Sequence, residues 1–109
     1  MKLQDKVAIV TGAGRGLGRS VALAFGREGA RVVLAARTQE EIDHVAEELR
    51  SLRKEAVAIP TDVTDEDQVN GMVKKALEAF GPIDILVNNA GARGPIGPIQ
   101  ELVVCPLNR

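Results

Sequence analysis

Short, mainly apolar runs alternate with longer amphipathic segments along most of the chain. Apolar runs bounded by glycine, proline or polar residues occupy positions 7–10, 31–36, 56–60 and 83–87. The segments between them carry apolar residues at spacings of three and four, which is the period of an α-helix. The pattern therefore predicts the order β-α-β-α-β-α-β through about residue 89.

This alternation also predicts how the strands pair. Strands that alternate with helices usually pair in parallel through right-handed crossovers, with helices on both faces of the sheet. Continuous apolar runs suit such strands because both of their faces are buried. We therefore predict an α/β fold with a doubly wound parallel sheet, truncated after about four strands in the order 3-2-1-4. A ligand binds such a sheet beyond the carboxyl ends of the strands, where the strand order reverses.

Local signals mark the ends of the second and third predicted helices. Thr38 followed by Glu41 matches a capping box at the start of the second helix. Thr64 and Asp67 have the same spacing at the start of the third. The glycine–proline pair at 81–82 is expected to end that helix.

Composition narrows the classes of protein to which the chain can belong. At 109 residues it is predicted to form one small domain. Its 14 basic and 15 acidic residues nearly cancel and form no basic block, which argues against nucleic-acid binding. No apolar run approaches the roughly 18 residues of a membrane span, and no signal-peptide pattern is found at the N-terminus. A single cysteine excludes an internal disulfide and a cysteine metal cluster, so we expect no metal site and a cytoplasmic location.

A glycine-rich stretch, TGAGRGLG at residues 11–18, links the first predicted strand to the first predicted helix. The first turn of such a helix offers free N–H groups and the positive end of the helix dipole to an anion. Two common templates do not match. GxGxxG requires glycine at Leu17, and the P-loop of phosphate-hydrolysing proteins requires glycine at Ala13 and lysine at Arg19. The spacing that fits is TGxxxGxG.

Two further motifs accompany the glycine loop. NNAG at residues 88–91 follows the fourth predicted strand, and Asp62 and Val63 follow the third. Together these motifs resemble the short-chain dehydrogenase/reductase family, in its classical branch, over roughly residues 5–102. The resemblance implies a Rossmann-like fold, a nicotinamide dinucleotide cofactor and hydride transfer to or from a carbonyl or alcohol. It also implies a set of cofactor-binding residues: Gly12, Gly14, Arg15, Gly16, Leu17, Gly18, Arg37, Asp62, Val63, Asn89, Ala90 and Gly91.

The end of the second predicted strand bears on the choice between NAD and NADP. NAD-binding enzymes usually place a carboxylate there for the ribose 2′-hydroxyl, whereas a basic residue accommodates a 2′-phosphate. Residues 35–38 contain no acid, and Arg37 follows the strand directly. Arg15 resembles a second basic position of NADP-preferring family members. The sequence therefore favours NADP over NAD, with a solvated surface arginine as the alternative interpretation of Arg37.

The catalytic residues that the resemblance implies are missing from this sequence. The family uses a tyrosine in a YxxxK motif as acid and base, and a serine that orients the substrate. This sequence contains no tyrosine, and its only serines, Ser20 and Ser51, precede the fourth strand. His44 is expected to be solvated, and Cys105 is expected to be a plain free thiol. We therefore assign no catalytic residue, and whether the chain is itself an enzyme stays open.

The end of the sequence departs from the family pattern. Residues 1–92 are interpreted as the NADP-binding region, and residues 93–109 as an irregular tail. A sheet that stops after strand four would leave an open apolar edge, through which the chain could form a homo- or hetero-oligomer. Three interpretations stay open: an inactive NADP-binding portion of a short-chain reductase, a working oxidoreductase with an incomplete sequence, and a regulatory fragment that pairs with a full-length relative.

Overall fold

A computed structural model describes residues 3–88 and 103–106 of the chain. Strands and helices alternate as predicted up to the fourth strand, and a further strand follows. The elements are β1 (Val7–Thr11), α1 (Gly16–Arg27), β2 (Arg31–Ala36), α2 (Gln39–Ser51), β3 (Ala56–Pro60), α3 (Glu66–Phe80), β4 (Ile85–Asn88) and β5 (Val103–Pro106). The bounds of β2 and β3 coincide with the predicted ones.

The strands form one sheet in the order β3-β2-β1-β4-β5. The first four are parallel, so the predicted order 3-2-1-4 is confirmed. β1 lies between β2 and β4, and Ile9 pairs with Val33 on one side and with Leu86 on the other. The carboxyl ends of these strands therefore meet at one edge of the sheet, on either side of the glycine loop.

Asp84 explains why β4 begins two residues later than predicted. Its backbone N–H donates to the Val7 carbonyl oxygen at 2.9 Å, and its carboxylate accepts from the Val7 N–H at 2.9 Å. A side-chain oxygen thus occupies the place of a backbone acceptor, and regular strand pairing starts after it.

The edge of β4 is occupied, which corrects the expectation of an exposed fourth strand. β5 pairs with it in the antiparallel direction, with Leu86 opposite Cys105 and Val87 opposite Val104. Part of the segment expected to be an irregular tail is therefore a strand. An edge strand offers a row of unpaired N–H and C=O groups, and β-branched valines favour the extended conformation that pairs with it. A four-residue strand is too short for periodicity to reveal.

Apolar side chains are buried on both faces of the sheet. Val32 and Leu34 of β2 pack with α1 and α2, whereas Val33 belongs to a second cluster that includes Met72 and Ala76 of α3. Successive strand residues point to opposite faces, so the continuous apolar run of β2 serves two cores. This is the arrangement that the uninterrupted hydrophobic pattern predicted.

The helix caps differ from those predicted. Thr38 precedes α2, but its side chain makes no capping hydrogen bond. The side chain that caps α3 is Asp65, which accepts hydrogen bonds from the backbone N–H groups of Asp67 and Gln68. Both predictions were wrong because spacing alone does not show whether a side chain has a better partner elsewhere. The predicted end of α3 is confirmed, since Gly81 follows it with φ of 90°.

Candidate functional site

The glycine loop turns the chain from β1 into α1 through two left-handed residues. Gly12 has φ of 63° and Gly16 has φ of 64°. Other residue types adopt this backbone conformation at a cost, so the conformation itself favours glycine at both positions. A Cβ built at Gly16 would meet no described atom within 4 Å. The described residues therefore leave space beside the Gly16 backbone that a ligand can enter.

The start of α1 is suited to an anion. Arg15 holds the N-cap position in an extended conformation, and its side chain makes no capping hydrogen bond. The first turn of the helix contains no acidic residue. The positive end of the helix dipole is consequently not neutralised by a carboxylate in that turn. A diphosphate is the kind of group that this combination of a glycine turn and a helix start can bind.

A cavity of about 350 Å³ lies beside this loop, at the carboxyl ends of β2 and β3. It brings together predicted site residues that are far apart in sequence. Its lining consists of Gly12, Arg15, Ala36, Arg37, Thr38, Glu41, Thr61, Asp62, Val63 and Thr64. Five of the twelve predicted cofactor-binding residues therefore line one cavity.

The remaining predicted residues have other positions. Gly14 lies against the side chain of Glu41, and Gly18 is buried within α1. The side chain of Leu17 is 44% exposed. The predicted residues at 89–91 lie outside the described part of the chain.

Two guanidinium groups and two carboxylates line the cavity. The Nε atom of Arg15 lies 3.8 Å from Oε2 of Glu41, and the Arg15 side chain is 85% exposed. Asp62 accepts hydrogen bonds from the Thr64 hydroxyl at 2.6 Å and from the Thr64 N–H at 3.0 Å. These bonds hold the pKa of Asp62 below its ordinary value, and the charge of Arg37 lowers it further. Asp62 is therefore ionised at neutral pH.

Four residues with polar side chains line the cavity although the sequence did not predict them as site residues: Thr38, Glu41, Thr61 and Thr64. Thr61 is buried, and its backbone N–H donates to the Ala36 carbonyl oxygen at 2.8 Å, which joins the ends of β3 and β2. Its place directly after a strand was the signal available in the sequence. Glu41 was predicted to cap α2, and no local signal connects it with the glycine loop. Within residues 3–88, no group of three metal-ligating side chains is present.

Comparisons with known proteins agree with this fold. The family model for short chain dehydrogenases matches residues 6–104. An uncharacterized oxidoreductase of Mycobacterium tuberculosis is 44% identical over 94 residues, which are 86% of this chain and 36% of that protein. Glycine betaine reductase of Emericella nidulans is 49% identical over 89 residues, which are 82% of this chain and 7% of that protein.

Two solved structures share the fold. A hydroxysteroid dehydrogenase from Escherichia coli superposes with a TM-score of 0.82 and 40% identity, covering 85% of this chain and 40% of that one. A glucose dehydrogenase of Caenorhabditis elegans superposes with a TM-score of 0.79 and 33% identity, with the same coverage. The chain spans 36% to 38% of the curated oxidoreductases of Mycobacterium tuberculosis and Staphylococcus aureus that it matches.

No helix in the described part of the chain is long and apolar enough to cross a membrane. The glycine turn, the sheet order and the match over residues 6–104 agree with one another. The chain belongs to the short-chain dehydrogenase/reductase family and carries the Rossmann-like fold with which that family binds a nicotinamide dinucleotide.

Proposed function

We propose that this chain binds NADP in preference to NAD. The observation that carries the proposal is that two guanidinium groups, those of Arg15 and Arg37, line the same cavity beside the end of β2. A 2′-phosphate is dianionic near neutral pH, and a guanidinium is always protonated and donates charge-assisted hydrogen bonds to phosphate oxygens. Residues 35–38, which end β2 and lead into α2, contain no carboxylate.

The described residues suit the diphosphate and the adenosine portion of the dinucleotide. The glycine loop and the start of α1 would hold the diphosphate. The described residues leave space beside Gly16, and the Arg15 side chain does not cap the helix, so the N–H groups of its first turn are not occupied by that side chain. Asp62 and Val63 would border the adenine, and Arg37 would border its ribose. When bound, the cofactor supplies a hydride or accepts one at its nicotinamide ring.

We further propose that the isolated chain binds the cofactor without turning over a substrate. The resemblance implies that a tyrosine transfers the proton, and this sequence has none. General acid catalysis is worth about 10²- to 10⁴-fold in rate. Within the cavity the ionisable groups are two arginines and two carboxylates, and the hydrogen bonds from Thr64 keep one of those carboxylates, Asp62, ionised. The oxidoreductase activity of the family is therefore not expected from these 109 residues alone.

We do not propose a function in which strand four pairs with a second chain. The antiparallel pairing of β5 with β4 uses the backbone groups that such a partner would need. A regulatory role through that edge would first require β5 to separate from β4.

Calorimetric titration of the purified chain with NADPH and with NADH tests the binding proposal. We expect tighter binding of NADPH, and loss of the preference in Arg37→Gln, because each charge-assisted hydrogen bond contributes about 1.5–3 kcal/mol. Arg37→Asp should invert the preference. Arg27→Gln is the matched control, since Arg27 is an exposed arginine in the last turn of α1, away from the cavity.

Two results would overturn these proposals. If NADPH and NADH bind with equal affinity both to wild type and to Arg37→Asp, the NADP assignment is refuted. If the folded chain binds neither cofactor, the proposed binding site is refuted. Measurable NADPH oxidation by the 109-residue chain in the presence of carbonyl compounds would refute the proposed lack of turnover.

A further inference from the structure

The cavity that contains the two arginines is also lined by a carboxylate from α2. Glu41 belongs to the first turn of α2, its side chain is 35% exposed, and it lines the same cavity as Arg15 and Arg37. Its Oε2 atom lies 3.8 Å from Nε of Arg15. The end of β2 lacks an acid, but α2 supplies one to the same cavity from a few residues further along the chain.

The position of this carboxylate depends on the glycine loop. A Cβ added at Gly14 would lie 2.8 Å from both Cβ and Oε1 of Glu41, closer than real Cβ atoms approach. Only glycine at position 14 therefore allows the first turn of α2 to lie this close to the loop. The Gly14 backbone and the Arg15 guanidinium contact the Glu41 side chain, so its charge stays near the loop.

We propose that Glu41 is a specificity-determining residue that weakens binding of the 2′-phosphate of NADP. This inference rests on the proposed dinucleotide function. A dianionic phosphate in the cavity would be repelled by the Glu41 carboxylate, and it would compete with that carboxylate for Arg15. The 2′-hydroxyl of NAD carries no charge, so its binding meets neither opposing effect. The preference for NADP that two arginines alone would produce is consequently reduced by the Glu41 carboxylate in the same cavity.

The test compares Glu41→Gln with wild type by calorimetric titration of the 109-residue chain. Glutamine keeps the length of the side chain and its packing against Gly14 but removes the charge. We expect NADPH to bind about three- to tenfold more tightly, a moderate gain because the group is partly exposed and screened by water. NADH affinity should rise by a smaller factor, because both cofactors carry the diphosphate and only NADPH also carries the 2′-phosphate that Glu41 repels. The gain for NADPH should shrink as salt is added, since screening weakens interactions between exposed charges.

Glu40→Gln is the matched control. Glu40 is exposed and lies in the same first turn of α2, so Glu40→Gln removes the same charge from the helix N-terminus as Glu41→Gln does. Its side chain, however, does not line the cavity. We expect this variant to leave the ratio of NADPH to NADH affinity close to that of wild type. A change that merely disturbed the fold would lower both affinities together, and circular dichroism of each variant reports on folding independently.

A second variant pair separates repulsion from competition. In an Arg15→Gln background, Glu41→Gln should still strengthen NADPH binding, by less than in wild type. Wild type could bind dinucleotide while Glu41→Gln leaves the ratio of NADPH to NADH affinity unchanged in both backgrounds. That result would refute the role of Glu41 in specificity and leave the proposed function intact. If wild type binds neither cofactor, the proposed function fails and this inference fails with it.

Discussion

The contact between Gly26 of α1 and Leu49 of α2 leads to a prediction about how the two helices pack. Both residues are buried, and Leu49 has no exposed surface. A Cβ built at Gly26 would overlap Cδ2 of Leu49. The leucine side chain therefore fills the space that the missing Cβ leaves, and each residue determines what the other position can accept.

The expected free energies follow from this geometry. Replacing glycine with alanine inside a helix contributes about 1 kcal/mol of stability through backbone propensity, whereas overpacking a filled core costs about 1–3 kcal/mol. Gly26→Ala should therefore destabilise wild type, by about 1 kcal/mol. Leu49→Ala should cost about 3 kcal/mol, as for other buried leucines. In the Leu49→Ala background the clash is absent, so Gly26→Ala should stabilise by about 0.5–1 kcal/mol.

Urea unfolding followed by far-UV circular dichroism measures these differences, since the chain has no tryptophan or tyrosine for fluorescence. The matched control is Gly71→Ala in α3, where a Cβ would meet no described atom within 4 Å, and it should stabilise wild type by up to about 1 kcal/mol. The double-mutant cycle should show a coupling energy of about 1.5–2 kcal/mol. If Gly26→Ala stabilises wild type as much as Gly71→Ala does, or if the two changes are additive, the proposed packing is wrong.

Two further predictions concern the segment between β3 and α3. Asp65→Ala should lower the free energy of unfolding by about 1 kcal/mol because two N–H groups at the start of α3 lose their acceptor. Asp65→Asn keeps an acceptor oxygen, so its free energy of unfolding should stay close to that of wild type. Equal losses in both variants would contradict the capping role of Asp65. Asp62 has a lowered pKa in the folded chain. Its ionised form therefore stabilises the fold above the ordinary carboxyl pKa of about 3.9. This contribution to stability is lost as the pH falls through the lower pKa of the folded state. Asp62→Asn should therefore be less stable than wild type in urea unfolding at pH 7, with a difference that shrinks toward pH 3, and a difference independent of pH would count against the Thr64 hydrogen bonds as its cause.

Much of this fold could be predicted from local patterns. The order of strands and helices, the bounds of β2 and β3, and the end of α3 at Gly81 depend on neighbouring residues: apolar periodicity and the backbone freedom of glycine. Parallel pairing and the order 3-2-1-4 follow, because few topologies satisfy right-handed crossovers. The places of Arg37 and Asp62 shortly after β2 and β3 were also predicted, because the apolar runs that form these strands end just before them.

Tertiary structure decided the rest. Leu17 of α1 is exposed although it is apolar, while Gly18 and Gly26 are buried because small residues let the helix lie close to its neighbours. Glu41 was predicted to act on its own helix, but its carboxylate lies near Arg15 in another element. β5 pairs with β4 although no local pattern predicted a strand there. Sequence by itself determined which elements form, because their causes are local; contacts between distant residues determined which faces, caps and edges those elements use.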